Sequence, residues 1–417
     1  MYIASARETG LEPQPRRGGR VAGNVFALGA VSLVTDVSSE MVTAVLPLYL
    51  VLQLGFSPLQ FGILDGLYSG VTAFVRIIGG TLADRWQRRK LMAGLGYGIS
   101  AVAKLGLLSA TGSATSMGLV LAADRTGKGL RTAPRDALIS LSSDPGTLGR
   151  AFGVHRAMDT VGAFLGPLAA FLLLWAVTGG YRAVFFVSFC VATLGMVLLV
   201  LFVRDHRQPA PPRRPVSPRS AFGLLRDRGF RRICGWAAVF GLATVGDAFV
   251  YLLLQDRLAI EPAWFAVLPL GTAGVYLLLA VPMGRVADRI GRWRVFLAGH
   301  LALLAAYTLL LGAADGLWLV VAGLAAHGLF YACTDGVLMA AAGPLLPAGL
   351  RTSGMAVLQT GQALAKLASS VLFGAAWTVW GMRTALVLAV AALAVVVVAA
   401  LVAALVARPL RAERGVA

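Results

Sequence analysis

The chain has 417 residues, of which 58% are hydrophobic and only 13% charged, and its mean hydropathy is +0.78. That is too little charge to cover a water-soluble surface of this size, which excludes a soluble enzyme or binding domain. The net charge of +18 and pI near 10.9 would suit nucleic acid, but the basic stretches lack interleaved aromatics, so nucleic-acid binding is set aside.

Apolar runs of about 20 residues read as membrane-spanning helices, because backbone groups in lipid must bond within their own segment. Twelve such runs occur, at 24–52, 59–83, 91–111, 115–137, 149–175, 182–203, 232–255, 262–284, 293–313, 316–341, 351–378 and 382–407. Alternating segments of barrel type are absent. The fold class is therefore all-α integral membrane, with twelve transmembrane helices. Residues 1–21 form a polar, Arg-rich tail. The first run is too long for a signal-peptide core and holds two acids, so no cleavage is expected.

In chain order, the first run carries Asp36 and Glu40, one turn apart and so on one face. The second holds Asp65 and Arg76. After it comes G-T-L-A-D-R-W-Q-R-R-K, from Gly80 to Lys90, with Asp84, Arg85 and Arg88. The fourth run reads L-V-L-A-A-D-R-T-G-K-G-L-R-T-A-P-R-D-A-L-I. Its Arg125 lies about 15 Å along the helix, at a depth where a charge is costly unless paired or facing water. Arg125 and Lys128 share a face by i, i+3 spacing, and G-K-G there does not fit a phosphate-binding loop. The fifth run carries His155, Arg156 and Asp159, and spaces Gly153, Gly162 and Gly166-Pro167 as G-x8-G-x3-G-P. Residues 204–231 are rich in Pro and Arg, which keeps the segment extended and solvated, so it reads as a linker.

Beyond the linker, the seventh run carries Asp247 and Tyr251, the tenth His327 and Asp335, and the eleventh Gln359, Gln362 and Lys366. The loop after the eighth run repeats the earlier motif as G-R-V-A-D-R-I-G-R-W-R, from Gly284 to Arg294, with Asp288, Arg289 and Arg292. Residues 148–163 and 350–365, opening the fifth and eleventh runs, also resemble one another. Doubling of a six-helix bundle explains both repeats. It divides the chain into a tail (1–21), a bundle (22–203), a linker (204–231), a second bundle (232–407) and a tail (408–417).

The charges agree with this division. Of 37 Lys and Arg, only Arg182, Arg257 and Arg383 fall on one side of the membrane, and Arg76, Lys104, Arg125, Lys128, Arg156 and Lys366 lie within runs. The rest gather in the tails and in the loops of the other side. Positive loops face the cytoplasm, so both termini and the linker are expected there, in the inner membrane, with anionic lipid as a partner. Cys190, Cys234 and Cys333 show no metal spacing, and His155 with Met158 is too small a ligand set for a metal. No nucleophile constellation, zinc-binding H-E-x-x-H or nucleotide loop is present, so neither enzyme activity nor a cofactor is expected.

The doubled loop motif, spanning a duplicated bundle, resembles the major facilitator superfamily from Val21 to Arg408. The resemblance implies two pseudo-symmetric halves, alternating access, and a cavity lined by the first, fourth, seventh and tenth helices. It also implies that the loops at Gly80, Asp84, Arg85 and Arg88 and at Gly284, Asp288, Arg289 and Arg292 latch the halves. Their charge alone would equally follow from topology. The first copy has Gln87 where a Gly is usual, and the second has Gly291 there. R-x-x-K-G at Arg125 to Gly129 resembles the family's fourth-helix motif, with Lys128 where Gln is common. The stretch around it looks like a largely uncharacterised prokaryotic branch.

The fifth-run glycines Gly153, Gly162 and Gly166 with Pro167 resemble the antiporter motif of drug/proton efflux branches. Ala170 and Phe171 stand where that pattern has two further glycines, and ordinary small-residue packing is the other reading. On this basis Asp36 is expected to carry protons with Arg125 as its charge partner. Glu40, Lys128 and Asp159 complete the buried set, and a static ion-pair network is the alternative. Asp247, Tyr251, Asp335 and Lys366 are expected to contact substrate, with Tyr276, Phe330 and Tyr331 as aromatic wall. The partners expected are a small-molecule substrate, protons and lipid, and a monomer suffices. Export is the first reading of direction. Import of a nutrient, siderophore or metal-related solute is the second.

Overall fold

The computed structural model describes residues 22–86, 88–110, 112–143, 148–177, 179–205, 223–313, 315–347 and 350–406, and every regular element among them is helical. The 1–21 and 408–417 tails and most of the 204–231 linker lie outside the described residues. In the first half the helices are α1 (Gly23–Leu48), α2 (Pro58–Trp86), α3 (Arg89–Ser109), α4 (Ala114–Leu141), α5 (Leu148–Ala176) and α6 (Tyr181–Phe202). In the second they are α7 (Arg228–Ala243), α8 (Asp247–Leu258), α9 (Pro262–Phe265), α10 (Leu268–Ile290), α11 (Arg292–Leu311), α12 (Leu317–Ala342), α13 (Arg351–Trp380) and α14 (Met382–Val406).

The chain crosses the membrane twelve times. Ten stretches among the described residues are long and apolar enough to span by composition alone. The helices α2 and α4 complete the set. Asp124, Arg125, Lys128, Arg131, Arg135 and Asp136 make α4 too polar for such a criterion. Two expected runs are interrupted. The seventh is split at Thr244–Gly246 into α7 and α8, and the eighth at Ala266–Val267 into the single turn α9 and the long α10. The first ends in one π turn, Tyr49–Gln53. Pro47, just before it, lacks an N–H and so cannot bond four residues back, which loosens the helix there.

Local chemistry fixes several ends. Ser113 caps α4 by accepting from the Thr115 N–H at 3.1 Å, and Asp227 caps α7 by accepting from the Phe230 N–H at 2.7 Å. Between α10 and α11 the chain reverses in one residue, Gly291, whose φ of +104° suits a residue without Cβ.

Contacts sort the residues into two compact units. The first runs up to Thr43 and resumes at Phe74; the second takes Ala44–Ala73 and everything described from residue 223 onward. In the first unit α3 packs on α4 and on α6. In the second, the equivalent ninth span α11 packs on α12 and on α14, while α7 packs on α13. The same order of neighbours thus occurs in both.

Small residues set the closest approaches. A Cβ on Gly127 of α4 would lie 2.5 Å from the Gly96 carbonyl oxygen of α3, and one on Gly96 would lie 2.7 Å from the Gly127 carbonyl oxygen. The Ala44–Ala73 segment joins the second unit in the same way. Gly62 faces the Ser370 carbonyl, a Cβ on Gly66 would be 3.0 Å from the Leu367 oxygen, and Gly374 faces the Pro58 carbonyl. A satellite apolar core in the first unit gathers Val25, Leu28, Val31, Tyr97, Leu138 and Leu199 at 1% exposure or less.

Gly127→Ala is expected to lower the melting temperature of the purified protein, because overpacking against backbone costs about 1–3 kcal/mol. Gly153→Ala meets open space, and helix propensity favours Ala there, so its melting temperature should hold or rise. Equal melting temperatures for the two variants would overturn this account of the α3–α4 contact.

Candidate functional site

In the first unit α1 and α4 run antiparallel and match polar groups rung by rung. Glu40 pairs with Lys128 at 3.7 Å, Asp36 with Arg131 at 3.6 Å, and Ser32 accepts from Arg135 Nη1 at 3.0 Å. The α1 groups are spaced i, i+4, i+8, and the α4 groups fall at i, i+3, i+7, so each set lines one helix face. Helix α5 closes the ladder at the Ser32 end. His155 Nε2 lies 3.0 Å from Ser32 Oγ, and Asp159 lies 3.9 Å from Arg135 and 3.8 Å from His155. Arg156, largely exposed, reaches Asp159 at 3.9 Å.

The expected pairing of Asp36 with Arg125 does not occur. Arg125 turns to its neighbour Asp124, at 2.5 Å through Nη2 and 3.0 Å through Nε. Lys104 of α3 reaches the other carboxylate oxygen of Asp124 at 3.2 Å, and Ser100 donates to that same oxygen. The reason is the pitch of α4. Six residues at about 1.5 Å each put Arg131 roughly 9 Å beyond Arg125 along the axis, level with Asp36. Arg131 also stacks on the Tyr97 ring, 4.5 Å from its centre. Arg131 and Arg135 of the fourth run are thus members of the ladder. Their spacing from Lys128 was the available signal.

The glycines of α5 lie directly behind the acids. A Cβ on Gly166 would be 2.7 Å from the Glu40 Cβ and 2.8 Å from the Val37 carbonyl oxygen, and Gly162 meets the Leu33 carbonyl. Gly153 faces open space, so the packing role within the motif belongs to Gly162 and Gly166. Pro167 follows within α5.

In the second unit the break between α7 and α8 places Asp247 at the first turn of α8. Three groups converge on its carboxylate: the Tyr331 hydroxyl at 2.5 Å, Lys366 Nζ at 3.0 Å and His327 Nε2 at 3.4 Å. The backbone freed by the break is also bonded. Ser369 Oγ donates to the Thr244 carbonyl at 2.6 Å, and the Val245 N–H donates to the Tyr307 hydroxyl at 2.9 Å. One turn along α13 from Lys366, Ser370 donates to Asp65 of α2 at 2.7 Å. A broken helix at membrane depth is tolerated where it borders a cavity, and here it does. A cavity of about 140 Å³ is lined by Asp247, Asp335, Lys366, Gln362, Tyr331 and a group of aromatic rings.

Asp247, Asp335 and Lys366, expected to act together, are therefore brought to one cavity. Tyr251 is not: it is buried on the far side of His327, edge to face at 6.1 Å. It lies one turn beyond Asp247 on the same face of α8 and is not among the lining residues.

The model of the Major Facilitator Superfamily matches residues 28–275 and again 259–416. The chain is a major facilitator. It is 28% identical to an uncharacterized MFS-type transporter of Methanocaldococcus jannaschii, over 90% of this chain and 94% of that one. It is 26% identical to the multidrug resistance protein MdtG of a Rahnella species, over 71% of this chain and 72% of that one. A crystal structure of a mutant of the nucleoside transporter NupG superimposes with a TM-score of 0.79 at 12% identity, covering 91% of this chain and 99% of that one.

The loop motif of this facilitator is visible in its second copy. Asp288 pairs with Arg292 at 3.4 Å, and Arg292 donates to the Ala340 carbonyl at 2.7 Å, tying the start of α11 to the end of α12. Arg289 and Arg88 are exposed. Gly284, expected to permit a close helix crossing, has nothing within 4 Å of a built Cβ. In the first copy Gly80 and the Asp84 and Arg85 side chains lie outside the described residues. No group of three or more His, Cys, Asp or Glu suited to a metal occurs among the described residues.

The facilitator's two acid sites differ in kind. Asp124 is 11% exposed and shared by two cations that are each at most 6% exposed, whereas the Asp36 side chain is 17% exposed with one partner at 3.6 Å. Removing one member of a buried set leaves the others uncompensated, at about 3–5 kcal/mol. Asp124→Asn is expected to lose most folded protein on size-exclusion chromatography and Asp36→Asn to retain it. The reverse order would reject Asp124 as the structural anchor.

Proposed function

We propose that this facilitator is a secondary active transporter that exports a small organic compound in exchange for protons, by alternating access. It would work in the inner membrane with both termini in the cytoplasm. The observation that carries the reading is the α1–α4 ladder, with two acids and three cations on facing surfaces among the described residues. Protonating Asp36 cancels the charge opposite Arg131, and a buried cation without its anion favours any rearrangement that finds it another. Asp36 is the principal proton carrier in this proposal, paired with Arg131, and Glu40 and Asp159 are secondary acids on the same ladder.

Two observations support export over import. The glycines that resemble the antiporter motif are those that hold α5 against the acid-bearing face of α1, so motif and acids form one packed element. A relative over 71% of the chain carries the description of a multidrug resistance protein. The loops at Asp84 and Asp288 are proposed as latches that bias the two access states.

In everted vesicles containing the protein, an acidic lumen, and so an outward-directed proton gradient, should drive accumulation of a fluorescent amphiphile such as ethidium, and Asp36→Asn should reduce gradient-driven flux at least tenfold. Gradient-driven flux that persists in Asp36→Asn removes the carrier assignment. Accumulation only in right-side-out vesicles reverses the direction to import.

A further inference from the structure

The second-unit cavity has an unbalanced charge. Lys366 is the only cationic side chain among its lining residues, and it is bound to Asp247 at 3.0 Å. Asp247 also takes Tyr331 and His327, so its oxygens are already engaged. Asp335 lines the same cavity and is exposed to it. The contact given for its carboxylate is the Tyr276 hydroxyl, at a long 3.4 Å, and no cation pairs with it among the described residues. One carboxylate is therefore in excess where a ligand would lie. This disfavours a carboxylate or phosphate ligand, which would bring a second negative charge beside Asp335.

The rest of the wall is aromatic. Phe240 and Phe296 meet edge to face with centroids 5.4 Å apart, His300 lies 4.1 Å from Phe240, and Phe330 meets His300 edge to face at 5.2 Å. These rings form one aromatic cluster along the cavity, and a cation seated over the face of any of them is attracted by the π quadrupole. His300 Nδ1 lies 2.9 Å from the Phe296 carbonyl, which can only accept, so this nitrogen carries a proton and is turned to the backbone. The volume of about 140 Å³ is close to that of a cavity that holds a single benzene ring, which limits the buried part of a ligand to one compact group.

We infer that this cavity is a binding site for an organic cation, whose ammonium group pairs with Asp335 and whose compact apolar part packs against Phe240, Phe296 and Phe330. The inference rests on the transporter reading above and narrows its substrate class. Asp247 and Lys366 act here as a neutral, hydrogen-bonded partition that holds α8, α12 and α13 together rather than as the ligand's counter-charge.

The probes are choline and its uncharged isostere 3,3-dimethylbutan-1-ol, titrated calorimetrically into the purified full-length protein. Choline should bind at least tenfold more tightly than the alcohol. Asp335→Asn should erase that preference, Asp335→Glu should keep most of it, and Phe330→Leu should weaken choline while sparing the alcohol. Equal affinity for the two probes, or unchanged choline binding in Asp335→Asn, overturns the site. Thermal melting of each variant without ligand checks that it is folded, and Asp335→Glu keeps the test decisive if Asp335→Asn is not. A choline preference in the wild type together with flux that ignores the proton gradient marks failure of the coupling proposal alone, and gradient-driven flux with no cation preference marks failure of this inference alone.

Discussion

A positive charge carried into hydrocarbon must meet its anion there, and α4 carries Arg125, Lys128, Arg131 and Arg135 along its length. Each finds an acid within reach: Asp124, Glu40, Asp36, and Asp136 with Asp159. This one requirement sets the register of α1 against α4, because the acids at 36 and 40 can serve only the cations that lie level with them. It also brings in α3, whose Lys104 shares Asp124, and α5, whose Asp159 completes the Arg135 end.

The close helix contacts and the polar contacts serve each other. Gly96 and Gly127 let α3 and α4 approach until backbone nearly touches backbone, and that approach brings Ser100 and Lys104 to Asp124. Gly162 and Gly166 do the same for α5 behind the acids of α1. In the second unit the compensation differs. There the seventh span breaks, and the hydroxyls of Tyr307 and Ser369 take up the freed backbone groups, while Tyr331, Lys366 and His327 surround Asp247. The first unit satisfies its buried charges in a ladder, the second in a cluster beside a cavity. That difference fits a division of labour, with proton exchange proposed for the one and ligand recognition for the other.

Much of this was legible in the chain. Composition and twelve apolar runs determine a helical membrane protein, because lipid leaves the backbone no other way to satisfy its polar groups. The doubled loop motif, with Asp84 and Asp288 in corresponding places, determined the duplicated plan and the family. Spacing of four on α1 determined that Asp36 and Glu40 share a face. Sequence also determined that the charges of α4 needed partners, since their depth follows from residue count alone.

Which partner each charge takes was decided only by tertiary structure. Arg125 stood out in the sequence as the deep cation, yet a neighbour one residue away satisfies it, and Arg131 reaches Asp36 because the two helices cross at that height. The break at Thr244–Gly246 carries no proline, and its single Gly246 is a residue that membrane helices often hold without breaking; it persists because side chains from α11 and α13 replace the lost helical bonds. Asp335 became separable from Asp247 only when the cavity showed one paired with Lys366 and the other with no cation beside it among the described residues. Helix periodicity determines which face a residue shares, whereas pairing depends on the relative height and rotation of two helices, and these are set by the packing of the whole unit.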